Sequence, residues 1–152
     1  MLVQGSLMHV NESLTSDRFL KFLADEAPDA HYFVAQPPPG IVMTAAVDWR
    51  VIVPDMAAIE ALSAALWKGY DSMVKPLHGD NLGRSPHIYV KMNNVRGEYD
   101  QFTIGKDLKK KDGLCHRMRE TATVLLSTDH EAAVRKEIQK TKDNDYWLSI
   151  CS

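Results

Sequence analysis

Lys106, Lys109, Lys110, Lys111, Arg117 and Arg119 crowd six cations into fourteen residues of this 152-residue chain, opposed only by Asp107 and Asp112. Formal charge is −5 over residues 1–83, +5 over 84–119 and −2 over 120–152. A net charge of −2 thus conceals a polarity that could draw in an anion. A nucleic-acid reader would add stacking aromatics or a recognition helix. No aromatic lies between Gly105 and Arg119. The segment therefore reads first as a solvated lysine-rich loop, next as a contact for an acidic protein, and last as a nucleic-acid or phosphate site.

A second group is the loop around His78, Asp80, Asn81 and Arg84, which brings a base, an acid and a cation together after a helix. Its His78-Gly79-Asp80 resembles the catalytic loop of aminoglycoside-phosphotransferase-like kinases, with Asp100 at the distance of their metal-binding aspartate. Ser85 stands where that family has asparagine, and the 79 residues before Asp80 are too few for its nucleotide-binding lobe. Gly, Asp and Asn are also what a helix-to-strand connection requires. Joined by His31, the loop could frame a polar pocket between helix and sheet.

The remaining reactive types offer less. Cys115 and His116 are neighbours in sequence, and adjacent side chains rarely face each other. The six histidines show no metal-ligand spacing. There is no P-loop, no Gly-x-Gly-x-x-Gly and no Gly-x-Ser-x-Gly. The expectation is no catalytic residue, no metal and no cofactor. Trp67, beside Lys68 and off the main stripe of its helix, reads either as an interface or pocket-rim residue or as part of a helix buried on two sides; Trp49, between Asp48 and Arg50, and Trp147, near the C-terminus, raise the same interface reading.

These side chains must be positioned by one domain, 1–152, with residues 1–10 expected to be flexible and Met8 an alternative start. The chain is 45% apolar and 25% charged. At this size a domain buries roughly 70% of its unfolded surface and needs no disulfide; Cys115 and Cys151 are expected to be unpaired. Gly40 to Val47 is the longest apolar run, far short of the about 20 residues of a membrane span. No secretory leader is visible, so the expected compartment is the cytoplasm.

The spacing predicts a helix over 15–26, capped by Ser16 and ended by Pro28, and a strand over 31–36. A stiff Pro37-Pro38-Pro39-Gly40 turn and a strand over 41–53 follow. Ile59, Leu62, Leu66, Tyr70 and Met73 give one stripe of a helix over 55–74. Strands are predicted over 87–92 and 99–104, with His87, Tyr89 and Lys91 opposite Ile88, Val90 and Met92. A fifth strand over 121–127, a helix opened by a Thr128–Glu131 capping box, and a final strand over 145–151 complete the chain.

The fold class is α+β: a mostly antiparallel sheet of five to six strands with helices on one face, in one version a ferredoxin-like core with additions. The first functional expectation is a non-enzymatic protein acting through protein contacts, a homodimer or an accessory or immunity-type protein of a bacterial mobile element. Trp67, with Tyr89 and Tyr99, would form its interface. A small-molecule-binding domain or enzyme is the alternative. Nucleic acid bound by residues 106–119 stands behind both, and no membrane partner is expected.

Overall fold

The computed structural model describes residues 1–11, 13–36, 47–76 and 85–150. The first departure from expectation is at the start of the chain. Residues Leu2–Met8 are not frayed but form β1, in the interior of the sheet. Gly5 and Ser6 weaken the apolar alternation there, which hides the strand in the sequence. The glycine has a packing reason: a Cβ at Gly5 would collide with the Tyr89 carbonyl and lie 2.6 Å from the Trp49 ring.

After β1 come α1 (Ser16–Glu26), β2 (His31–Ala35), β3 (Trp49–Ile52), α2 (Met56–Gly69) and β4 (His87–Asn93). Then follow β5 (Tyr99–Ile104), α3 (Lys111–Leu125), α4 (Glu131–Lys142) and β6 (Trp147–Ile150). The six strands lie in the order β5-β4-β1-β3-β2-β6, and every neighbouring pair is antiparallel. The first four strands, with α1 and α2 as crossovers, give order β4-β1-β3-β2, the ferredoxin-like arrangement. The rest of the chain adds one strand to each edge and two helices.

Local signals explain most boundaries. The Asp55 carboxylate caps α2 by accepting from Ala58 N–H at 2.9 Å. Past Gly69 that helix widens into a π-helical turn over Tyr70–Val74. Thr15, not Ser16, caps α1, accepting from Arg18 N–H at 3.2 Å. The expected strand over 121–127 is the end of α3 and a 3₁₀ turn. Its β-branched residues favour a strand, but Leu114, Met118, Ala122 and Leu125 recur at helical spacing and all pack into the core. The capping box does not form either. His130 sits at the cap of α4, while Thr128 donates to the Leu125 carbonyl and accepts from the Asn94 amide.

Three helices cover one face of the sheet. Phe19, Leu23, Ile59, Leu62, Leu66, Leu114 and Met118 pack there against Val3, Trp49, Val51, Val90 and Phe102. Trp49 is fully buried in this core, which corrects its reading as an interface residue. The fourth helix departs from the one-face expectation. Val134 and Ile138 of α4 pack with Trp147 on Leu2, Phe33 and Ile52, whose side chains point to the opposite face. α4 covers the β2–β3–β6 side of that face.

Candidate functional site

Where α4 approaches the ends of α2 and α3, the chain leaves a cleft of about 790 Å³. Four separate segments line it. Pro54, Asp55 and Met56 come from the start of α2, and Ala122, Thr123, Leu126 and Ser127 from the end of α3. Asp129, Glu131, Val134, Arg135 and Ile138 come from α4 and its approach, and His31 from the start of β2. The volume lies in the range of ligand pockets, and apolar walls with a few polar groups are their usual composition.

The polar groups differ in what they have left to offer. Asp129 is committed: its side chain is 1% exposed, one oxygen accepts from Val95 N–H at 2.9 Å, and the other pairs with the Met1 ammonium at 2.9 Å. Asp55 spends one oxygen on its cap. Glu131 and Arg135 pair across one helical turn at 3.7 Å and are both well exposed at the mouth. Desolvation, reinforced by the Lys142 charge, holds the His31 imidazole below its ordinary pKa, so the neutral ring is favoured near neutral pH. The Thr123 and Ser127 hydroxyls donate to the Arg119 and Val124 carbonyls and keep lone pairs to accept with, so the cleft presents carboxylate and hydroxyl acceptors, a guanidinium and a neutral imidazole around an apolar floor.

The residues singled out in the sequence do not gather into one site. His78, Asp80 and Arg84 lie outside the described residues, as does Cys151; Cys115 is a free, half-buried thiol. Trp67 is partly buried, its ring tilted 45° against Tyr70 with centroids 5.3 Å apart, and it borders a depression with Ala61, Lys68 and Lys111. The basic segment is divided. Lys106, Lys109 and Lys110 sit on the turn after β5, and Lys111 opens α3; all four are exposed, with no ion pair among the described residues. Arg117 instead forms a two-pronged bridge to Asp100, at 2.7 and 2.8 Å, with its guanidinium over Phe102. Arg119 pairs with Glu60 at 3.3 Å. The arginines thus have structural partners.

Sequence reading passed over Arg50. Its guanidinium reaches Glu137 and Thr141 of α4 and lies over the Trp147 ring at 4.9 Å. With its amide oriented to satisfy both neighbours, Gln4 accepts from Arg50 at 3.1 Å and donates to Asn93 at 3.3 Å. The signal available was an arginine inside the strand-forming run Trp49 to Val53. Among the described residues no three His, Cys, Asp or Glu side chains gather as a metal site, and no helix is long and apolar enough to cross a membrane.

Comparison with known proteins adds no constraint: no family model, curated protein or solved structure matches the chain.

Proposed function

We propose that this chain binds a small molecule with an apolar body and a hydrogen-bonding edge in the cleft between α4 and the ends of α2 and α3. The observation that supports this is the convergence of His31, Asp55, Ser127 and Glu131 on a floor made by Met56, Leu126, Val134 and Ile138. The test is a thermal-shift screen of a metabolite library against the wild type and Ser127→Trp, which fills the cleft from its rim. A ligand at about a hundredfold its Kd stabilises the folded state by about 2.7 kcal/mol. The expected result is a set of compounds that raise the melting temperature of the wild type and not of the variant. Compounds acting equally on both, or none acting on either, would refute the reading.

Protein contact is the second reading, as a homodimer or an accessory protein of a bacterial mobile element. Its support is β5, which ends the sheet on one side and is a template for strand pairing. The exposed apolar side chains Tyr99, Val124 and Leu148 sit on three different elements rather than in one patch. Light scattering at high concentration tests it: a dimer mass supports this reading, and a monomer removes the self-association.

A further inference from the structure

Beyond α4 the same face of β1, β4 and β5 is closed at the end where Ser6 and His87 are buried, and is exposed or half-exposed from Gln4 and Lys91 to Tyr99 and Gln101. Register places Gln4 beside Lys91 and Gln101 in one cross-strand row, flanked by Asn93 with Tyr99 and by Tyr89 with Thr103. No carboxylate occupies an outward position of these three strands, in a chain with 20 Asp and Glu against 18 Lys and Arg. The acid of β5, Asp100, points to the other face, where Arg117 and Thr121 hold it.

The aromatics are presented rather than packed. Tyr99 is 59% exposed, with the Lys91 ammonium 4.6 Å from its ring centre. Tyr89 is half-buried and donates to the Gln101 side chain at 2.9 Å, which fixes its ring on the sheet. The register sets the two tyrosines four residues apart along the strands, roughly 13 Å at about 3.3 Å per residue. At the Thr103 end of β5 the chain turns through Lys106, Lys109 and Lys110, while Lys111 opens α3 on the helix side, beside Trp67. Thr103 and Asp107 exchange two hydrogen bonds, both at 3.1 Å, that hold this turn to the strand. Tyr89, paired with Thr103, thus lies at the strand end that leads into the lysines, and Tyr99 lies at the far end.

We infer that this half of the sheet is a binding surface for single-stranded nucleic acid. Every base has a π-face, so Tyr99 and Tyr89 can stack on bases without regard to sequence. Gln101 and Asn93 keep amide N–H groups that can meet base edges, while Gln4 is held between Arg50 and Asn93. Lys91 and the lysine turn supply the charge complementary to phosphates, with no outward carboxylate on the strands to repel them. A duplex, with its bases already stacked on each other, would meet only the lysines. The inference is independent of the cleft, which lies beyond α4.

The test is fluorescence anisotropy with a labelled mixed-sequence single-stranded RNA, its DNA counterpart and the matching duplex, at low and at near-physiological salt. The expected result is binding of one or both single strands in preference to the duplex. Tyr99→Ala should weaken it about tenfold, and Tyr99→Phe should keep it. Replacing Lys106, Lys109 and Lys110 together by alanine should flatten the salt dependence, by a log–log slope of about 0.7 for each phosphate that is no longer neutralised. Circular dichroism of each variant confirms that the exposed substitutions leave the fold intact. No binding at low salt, equal binding of duplex, or indifference to both tyrosines would overturn the inference. So would a dimer that Tyr99→Ala dissolves in a protein that binds no oligonucleotide, which would give this face to a second copy.

Discussion

The two halves of one sheet face are built from the same strand geometry and put to opposite use. On β2, β3 and β6 the outward positions include Phe33 and Ile52, and α4 lies over them. On β4 and β5 they are the buried His87 and then Tyr89, Lys91, Asn93, Tyr99, Gln101 and Thr103, and α4 does not lie over them. Arg50 marks the seam, bound to Glu137 and Thr141 on the α4 side and to Gln4 on the other. Covering half a face with one short helix has two consequences. The margin of the helix leaves a cleft against α2 and α3, and the remaining half keeps a polar, aromatic surface with side chains already hydrogen-bonded into position.

The largest contrast between the halves should appear in stability. Phe33→Ala removes a ring that is 1% exposed, and comparable truncations cost about 3–5 kcal/mol. Tyr99→Ala, in the open half, should stay within about 0.5 kcal/mol. Urea denaturation of both variants checks this, and equal losses would end the distinction. Next in size is the seam. Arg50→Met should cost about 2 kcal/mol, because it removes charge-assisted hydrogen bonds and leaves the half-buried Glu137 without its cation. Trp147 fluorescence should change with it, since the guanidinium lies over that ring.

Smaller effects follow from titration. The Arg117 hydrogen bonds hold the Asp100 carboxyl below its ordinary pKa of 3.8, despite the opposing effect of burial. The stability it contributes is therefore complete above that value and is lost as pH falls through the lower folded-state value. Asp100→Asn should flatten this acid limb and cost at most about 1 kcal/mol at neutral pH, the upper end for pairs this exposed. His31 gives the weakest signal. Its folded pKa lies below 6.5, so the unfolded chain binds the proton more readily. Stability should be full above that pH and decline as pH falls toward the folded value, and His31→Asn should remove the decline. Melting curves across a pH series read both effects.

How far the sequence foretold this division depends on how local each signal was. The stripe Ile59, Leu62 and Leu66 and the alternation His87 to Met92 are complete within their own elements, so α2, β4 and the outward side of Tyr89 were legible. β1 was not, because Gly5 is there to admit the Trp49 ring, a contact with a strand more than forty residues away. The end of α3 was misread because its threonines and Val124 have strand propensity, while the burial of Met118 and Ala122 decided for helix. The cleft joins His31, Asp55, Ser127 and Glu131 from four distant segments, and no spacing rule connects them. The lysine cluster and the outward tyrosines were both visible, but not that strand pairing sets Tyr89 beside Thr103, at the end of β5 that leads into the lysines.

Amide chemical-shift mapping on one isotope-labelled sample tests the divided face most directly. The protein would be titrated first with a compound from the thermal-shift screen and then with the single-stranded oligonucleotide. The account predicts two separate footprints: Met56, Leu126, Glu131 and Val134 for the compound, and Gln4, Lys91, Tyr99 and Gln101 for the oligonucleotide. Phe33 and Ile52, sealed beneath α4, should stay unmoved by the oligonucleotide. One footprint shared by both ligands, or oligonucleotide shifts that spread under α4 and leave Tyr99 and Gln101 still, would contradict it.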